Sequence, residues 1–142
     1  MALALDKGSV KVALVVDDSI PQAQVLRLLL EEEGYCVVIA SDGARSVLMY
    51  IKHQPDLVLM NIDMPIMNGY QAARKIKSLS KNNLCPLIFL TNSNNDEVLI
   101  ESIEAGGDSL LVRPFSALVF KAKIKSIQRI TDLYWQVKKL QQ

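Results

Sequence analysis

The sequence predicts an α/β domain in which helices cover both faces of a five-stranded parallel sheet. Five short apolar runs of strand length alternate along the chain with segments whose apolar residues recur every three or four positions. The runs are almost continuously apolar, as is typical of strands buried on both faces. Strict alternation of strand and helix then favours parallel pairing through right-handed crossovers.

The predicted strands are rich in β-branched residues and are bounded by turn residues such as Gly34 and Pro55. They are Val12–Val16, Tyr35–Ala40, Leu57–Met60, Leu87–Leu90 and Leu110–Val112.

Four helices are predicted between the strands, each with one apolar face. The predicted buried faces are Val25, Leu26, Leu29 and Leu30; Ala44, Val47, Leu48 and Ile51; Ala72, Ala73, Ile76 and Leu79; and Val98, Leu99 and Ile103. A fifth helix follows Ser116, a favourable N-cap residue, and we expect Phe115 to pack against Phe120 as a hydrophobic staple.

Composition sets the class of protein and excludes some partners. Half of the 142 residues are hydrophobic, which suffices for the core of one domain. The net charge of +1 gives no electrostatic reason to expect nucleic acid or a membrane surface as a partner. No apolar run approaches the ~20 residues that cross a bilayer. We expect a cytoplasmic protein in which Cys36 and Cys85 are buried free thiols.

Polar residues stand where four of the predicted strands end. Ligands of open parallel sheets bind at this edge. Adjacent carboxylates at Asp17 and Asp18 repel each other and favour a nearby cation such as Mg²⁺. Alternatively, one of them, or Ser19, caps the helix that follows. The other strand-end residues are Asn61, Thr91, and Arg113 with Pro114.

Four motifs resemble the receiver domains of bacterial two-component response regulators. They are VVDDS at 15–19, PDLVLMNIDMPIMNG at 55–69, IFLTNSN at 88–94 and LLVRPFS at 110–116. The resemblance covers about Lys11 to Lys125 and implies a flavodoxin-like (βα)5 fold with strand order 2-1-3-4-5.

The resemblance also implies roles for individual residues. Asp17 and Asp18 match the acid pair that holds Mg²⁺, and Asp63 matches the residue whose backbone carbonyl reaches the metal. Thr91 matches the switch hydroxyl, and Asn61 stands at the phosphoacceptor position. Three further residues match structural positions of the motifs: Pro65, Gly69 and Pro114.

Three residues depart from the family pattern, in which Asp, Lys and an aromatic residue are usual at positions 61, 113 and 110. A neutral amide at Asn61 is a far poorer nucleophile than a carboxylate, so ordinary aspartyl phosphorylation is expected to be disabled. Mg²⁺ binding is expected to be weakened, because one negative charge is lost. Arg113 is expected to pair with Asp17 or Asp18, and Leu110 to alter the switch. Asp63 is not expected to replace the acceptor.

Three domain regions are predicted: a disordered or tag-like N-terminus at 1–10, a receiver domain at 11–128, and a helical extension at 129–142. The extension carries an apolar seam at spacings of three, four and three, formed by Ile130, Leu133, Val137 and Leu140. We expect this seam to pair with a second copy or to lead towards an output domain; the alternative is a frayed helix tail. Exposure of Tyr134 and Trp135 would be costly, which favours a partner.

The predicted function is that of an atypical receiver, not an enzyme, which acts through contacts with a histidine kinase or another signalling protein. The expected contact face is formed by the fourth helix, fifth strand and fifth helix. One alternative is a conventional phosphoaccepting receiver in which Asp was replaced by Asn61 experimentally. A flavin-binding or phosphatase enzyme on the same fold is a third alternative, but the segment DDSIPQ at 17–22 would repel phosphate without a metal.

Overall fold

The computed structural model describes residues 10–81 and 83–141, in which five strands alternate with five helices. The strands are β1 Lys11–Val16, β2 Tyr35–Ala40, β3 Leu57–Asn61, β4 Leu87–Thr91 and β5 Ser109–Val112. The helices are α1 Ile20–Glu32, α2 Gly43–His53, α3 Gly69–Leu79, α4 Asp96–Glu104 and α5 Ala117–Leu140. The segment predicted to be disordered or tag-like, 1–10, lies outside the described residues except for Val10.

All the strand pairs are parallel, and the order across the sheet is β2-β1-β3-β4-β5. This order confirms the predicted flavodoxin-like arrangement. β3 lies between β1 and β4, and all five of its residues are buried. The order reverses direction at β1, which places the carboxyl ends of β1 and β3 side by side at the edge where ligands bind in such sheets.

Alternate residues of the central strands supply two separate cores, as expected when successive side chains point to opposite faces. Leu57 and Leu59 face the core formed with α1 and α5. Val58 and Met60 face the core formed with α3 and neighbouring residues of α2. The continuous apolar character of β3 therefore reflects burial on both sides.

A polar side chain caps the N-terminus of each of the five helices, including the predicted caps Ser19 and Ser116. The N-cap residues are Ser19, Asp42, Asn68, Asn95 and Ser116, each accepting a hydrogen bond from a backbone N–H inside the first turn. The staple is also confirmed, because the rings of Phe115 and Phe120 stack with centroids 5.7 Å apart. These contacts satisfy backbone donors that the helix itself leaves unpaired.

Several predicted helix faces were wrong in part. In α2 the fully buried residues are Gly43, Ser46 and Tyr50, and in α4 only Ser102 is fully buried. Small and polar side chains face the domain there because α2 packs closely and α4 lies over the edge strand β5, which gives little cover. The apolar residues that were predicted to be buried but are exposed are Val25, Ala44, Leu48, Ile51, Leu79, Leu99 and Ile103.

The two cysteines differ in exposure, so the expectation that both are buried was wrong. Cys85 is buried, and its thiol donates to the carbonyl oxygen of Pro55 at 3.3 Å. Cys36 is exposed because it lies on β2, an edge strand. Both are free thiols.

α5 is one continuous helix of 24 residues, and the predicted boundary between 128 and 129 falls inside it. Phe120, Ile124 and Ile127 bury its first half, and Thr131 is its last buried residue. Beyond Thr131 no residue of the helix is fully buried, although Trp135 is half-buried and Asp132 pairs with Lys11 of β1 at 3.5 Å. No helix in the described ranges is both long enough and apolar enough to span a membrane.

Candidate functional site

The strand-end residues predicted from sequence meet at the carboxyl edge of the sheet. Asp17 follows β1, Asn61 ends β3, Thr91 ends β4 and Arg113 follows β5. The backbone N–H of Arg113 donates to the carbonyl oxygen of Thr91 at 2.8 Å, which continues the β4–β5 pairing one residue further. Parallel pairing thus carries side chains far apart in sequence into one pocket.

An ion pair between Arg113 and Asp17 lies at the base of this pocket. One terminal guanidinium nitrogen of Arg113 lies 2.9 Å from Oδ2 of Asp17, and the two side chains are only 14% and 0% exposed, respectively. The pair is therefore removed from most of the solvent that weakens surface ion pairs. Arg113 neutralises one of the two adjacent carboxylates from within the protein.

Asp17 accepts a hydrogen bond from a second donor, and burial affects the pKa of its carboxyl group. Its Oδ1 accepts a hydrogen bond from the backbone N–H of Ser19 at 2.9 Å. Burial raises the pKa of Asp17 above its ordinary value of 3.8, and the Ser19 N–H and the Arg113 charge offset only part of that effect. The Ser19 N–H and Arg113 favour the ionised form, whereas burial and the neighbouring charge of Asp18 disfavour it.

Asn61 joins the remaining polar groups of the pocket. Its Nδ2 donates to Oδ1 of Asp18 at 3.2 Å and to the backbone carbonyl oxygen of Asp63 at 3.1 Å. Its Oδ1 accepts from Arg113 at 3.4 Å. An amide can make this combination because it carries both donors and an acceptor, whereas an ionised carboxylate only accepts.

The resemblance implies Mg²⁺ at this site, but the donor set fits it poorly. The two oxygens nearest Asn61, on Asp18 and Asp63, receive N–H groups, and Asp17 receives a guanidinium. Across residues 10–81 and 83–141 there is no group of three His, Cys, Asp or Glu residues that could hold a metal ion. Arg113 and the Asn61 amide thus contact oxygens that a metal ion would need, and Arg113 compensates the charge of Asp17.

Asp63 contacts the pocket through its backbone carbonyl oxygen, which accepts from Asn61. The residue itself is exposed. Asp18 is also exposed at the rim and presents one carboxylate oxygen to Asn61. The only carboxyl side chain buried in the pocket is therefore that of Asp17, among the residues described here.

Thr91 and Leu110 lie beside the pocket and do not contact Asn61 through the hydrogen bonds described above. The hydroxyl oxygen of Thr91 accepts from the backbone N–H of Ser93 at 3.1 Å. Leu110 is half-buried against the core, opposite Phe89 in the β4–β5 register. The ring of Tyr70 makes an edge contact with Phe89 at 5.4 Å. Tyr70 of α3 and Leu110 of β5 thus both pack against the core that contains Phe89.

Gly69 packs directly against the backbone of Asn61 and Ile62. A Cβ at this glycine would lie 2.3 Å from the carbonyl oxygen of Asn61 and 2.8 Å from Cα of Ile62. Both atoms belong to the backbone and cannot turn aside. The Gly69 N–H also donates to the carbonyl oxygen of Ile62 at 2.9 Å. Only glycine allows α3 to begin this close to the end of β3.

The other two structural positions lie in the loops that border the pocket. Pro65 is exposed, and its carbonyl oxygen accepts from the N–H of Met67 at 2.8 Å. Pro114 follows Arg113 through a cis peptide bond. An open groove of about 630 Å³ runs beside Arg113, between Leu26 of α1 and the Pro114 segment.

Sequence reasoning missed two contributors to the site. The first is the backbone N–H of Ser19, which no side-chain pattern reveals, although the DDS segment is typical of a local turn in which an Asp side chain accepts from the chain two residues on. The second is Tyr70, whose hydroxyl donates to the carbonyl oxygen of Val98 at 3.4 Å and joins α3 to α4. Its position just after Gly69 gave no signal of that contact.

Curated relatives match most of the chain. A probable transcriptional regulator ycf27 of Guillardia theta is 32% identical over 130 residues, covering 92% of this chain and 50% of the relative. The transcriptional regulatory protein YxdJ of Bacillus subtilis is 34% identical over 113 residues, covering 80% of this chain and 48% of the relative. The chain thus spans about half the length of the curated relatives it matches.

Solved structures agree with the fold. The chemotaxis protein CheY4 of Vibrio cholerae aligns with a TM-score of 0.77 at 26% identity, covering 83% of this chain and 98% of that one. A two-component response regulator from Clostridium difficile gives a TM-score of 0.78 at 25% identity, covering 84% of this chain and 96% of that one.

The family model described as "Response regulator receiver domain" matches residues 13–125. That range contains all five strands except the first two residues of β1, as well as every side chain of the pocket. The chain therefore belongs to the response regulator receiver domain family, the signalling modules of two-component systems.

Proposed function

We propose that this receiver signals without aspartyl phosphorylation and acts through protein contacts. The observation that carries the proposal is the hydrogen bonding of Asn61, whose amide joins Asp18, the Asp63 carbonyl and Arg113 in one network. A residue of this kind offers no carboxylate oxygen to attack phosphorus, so it cannot form an acyl phosphate. It instead holds the pocket in a single arrangement.

Weak Mg²⁺ binding is part of this proposal. A metal ion at the acid pair would have to displace the Asn61 N–H groups and compete with the positive charge of Arg113. We expect millimolar Mg²⁺ to raise the melting temperature of the Asn61→Asp variant by several degrees more than that of the unaltered protein. Equal shifts in the two proteins, measured by differential scanning calorimetry, would contradict weakened binding.

Phosphorylation is the direct test. The unaltered protein and its Asn61→Asp variant are incubated with acetyl phosphate and Mg²⁺, and added phosphoryl groups are counted by intact mass. We expect none on the unaltered chain. Stoichiometric acid-labile phosphorylation of that chain overturns the proposal. If the unaltered chain is phosphorylated, the single variant Asp63→Asn shows whether Asp63 is the acceptor.

The competing function is a conventional phosphoaccepting receiver in which Asp was replaced by Asn61 experimentally. Ready phosphorylation of Asn61→Asp supports it, and continued inertness supports a receiver that has lost the chemistry naturally. Arg113 favours natural loss, because its ion pair with Asp17 places a bulkier cation than lysine against the acid pair. Leu110 is a second departure beside the same pocket.

We further propose that the seam of α5 pairs with a second copy of this chain. Its four residues, Ile130, Leu133, Val137 and Leu140, are 52%, 60%, 52% and 86% exposed. Residues at a spacing of three and four lie on one face of a helix and match the a and d positions of a coiled coil. Two heptads are too short to pair strongly alone, so we expect micromolar or weaker association, or pairing in concert with an output domain.

Sedimentation equilibrium tests the seam. We expect the average mass to rise with concentration and the Leu133→Glu variant to remain monomeric, because a carboxylate is costly in an apolar interface. Lys139→Glu adds the same group on the side of the helix away from the seam and should leave association unchanged. Association that survives Leu133→Glu would place the contact elsewhere, such as the α4–β5–α5 face.

Other partners follow from the same proposal. A histidine kinase or another signalling protein would dock on the face formed by α4, β5 and α5, where Leu99 and Ile103 of α4 are exposed. We propose a cytoplasmic protein without catalytic activity and without nucleic acid binding by this domain, in keeping with the net charge of +1. A colourless preparation without phosphatase turnover would dispose of the flavin-binding and phosphatase alternatives.

A further inference from the structure

A second cavity lies at the opposite end of the domain from Asn61. It has a volume of about 280 Å³, at the small end of the range for ligand pockets. Its walls come from three places: the C-terminal end of α2 with Gln54 and Pro55, the end of α3 at Leu79 with residues 83–85, and Trp135 of α5. The far half of α5 therefore contributes one side of a cavity whose other sides belong to the receiver core.

Trp135 faces this cavity because of its place on the helix. It lies two residues from Leu133 and two from Val137, about 200° around the helix from each. The seam and Trp135 consequently occupy opposite sides of α5. Trp135 is half-buried, although Thr131 is the last fully buried residue of the helix. Its ring also makes an edge contact with Tyr134 at 5.2 Å.

The lining is divided about equally between apolar and uncharged polar surface. Ile51 and Leu79 form apolar walls and remain 54% and 52% exposed. Tyr50 and Trp135 supply aromatic rings, and the carboxamide of Asn83 supplies a donor and an acceptor. None of the described residues that line the cavity carries a charge. An ion entering it would lose hydration without gaining a counter-charge, so the cavity selects against ionised ligands.

We propose that this cavity binds a small, uncharged, planar molecule between Trp135 and the ends of α2 and α3. Aromatic rings pack favourably against a flat ligand, and the cavity volume suits a single ring system with a polar substituent. Such a molecule would connect the C-terminal helix to the receiver core. The helix direction, and with it the presentation of the seam, would then respond to a ligand at a site remote from Asn61.

Three probes of equal shape but different charge test the proposed ligand class: benzamide, benzoate and benzamidinium. Saturation-transfer NMR with the full chain gives their relative affinities, and Trp135, the only tryptophan, reports occupancy by fluorescence. We expect benzamide to bind about tenfold or more tightly than either ion, in line with ~1.4 kcal/mol per tenfold. Equal binding of all three, or no binding of benzamide, overturns the proposal.

Variants locate the site. Trp135→Ala is expected to weaken benzamide binding about tenfold, whereas Leu133→Ala, on the opposite side of the same helix, leaves it unchanged. Ile51→Lys places a cation at the wall and should reverse the preference towards benzoate; because Ile51 is half-exposed, the fold tolerates the change. Undiminished binding in Trp135→Ala, or an unchanged charge preference in Ile51→Lys, contradicts the assignment.

Discussion

At the carboxyl edge of the sheet, Asp17, Asp18 and Arg113 are all paired with one another or with Asn61. At the far end of α5, four large apolar side chains extend from the helix without cover from the domain. The polar groups of the first region are paired within the domain, whereas the apolar groups of the second are exposed. Under the function proposed above, the usual chemical input site is closed and the seam of α5 is a surface for new contacts.

The difference has a simple physical origin. Buried charges must be paired, because an uncompensated charge in the protein interior costs several kcal/mol. An apolar side chain exposed at the surface costs less free energy than an unpaired buried charge, so it can remain exposed in the isolated domain. An amide at position 61 therefore favours internal pairing of the pocket's polar groups. Apolar residues at the end of α5, in contrast, can stay exposed until a partner binds. Four predictions test this contrast, from the largest expected effect to the smallest.

The largest effect is expected from breaking the buried ion pair. Arg113→Ala leaves the carboxylate of Asp17 without its cation and should lower the free energy of unfolding by about 3–5 kcal/mol. Arg113→Lys keeps the positive charge but not the planar guanidinium, so its free energy of unfolding should fall by less than that of Arg113→Ala. Urea unfolding measures both variants. Equal stability of Arg113→Ala and the unaltered protein would show that the pocket does not depend on this pair.

The two halves of α5 should respond differently to the same kind of truncation. Ile124 is fully buried, and Ile124→Ala should cost about 2–5 kcal/mol. Leu133 is mostly exposed, and Leu133→Ala should change the stability of the isolated chain by less than about 0.5 kcal/mol. Urea unfolding at low protein concentration gives both values. A large loss at Leu133 would mean that the seam is already covered.

Gly69→Ala tests the approach of α3 to Asn61. The added methyl group would overlap backbone atoms of Asn61 and Ile62, so we expect a loss of about 1–3 kcal/mol as the end of β3 is displaced. Lys75→Ala, on the exposed side of the same helix, should change stability by less than about 0.5 kcal/mol. Thermal unfolding compares the two. Similar melting temperatures for both variants would rule out a steric requirement at Gly69.

The smallest effect is a pH dependence at Asp17. Its pKa in the folded protein is raised above the ordinary value of 3.8, so the native state binds this proton more tightly than the unfolded chain does. The stabilising contribution of proton binding is fully present below pH 3.8 and is lost as pH rises through the folded-state pKa. The stability of the unaltered protein relative to Asp17→Asn should therefore fall across that window. Urea unfolding at a series of pH values detects it, and a relative stability that rises instead contradicts the shift.

The strands were predicted from sequence to within one residue. The central strands β1, β3 and β4 show continuous apolar runs because they are covered on both faces, whereas the half-exposed edge strands β2 and β5 were recognised by their apolar and β-branched residues. The faces of α2 and α4 were harder to predict. Leu48 and Ile103 fit a helical apolar period, yet Ser46 and Ser102 are the residues that face the domain. Periodicity shows that a helix has an apolar stripe, but close packing with small residues decides which side the fold covers.

The sequence by itself determined the order of elements, the polar residues at the strand ends and the missing carboxylate at position 61. Only the tertiary structure decided which groups pair: that Arg113 contacts Asp17, that the Asn61 N–H groups point at Asp18 and Asp63, and that Trp135 faces the core. The physical reason is that residue types and the order of elements can be followed directly along the chain. Hydrogen-bond partners and helix faces depend on side-chain directions set by all the packed elements together.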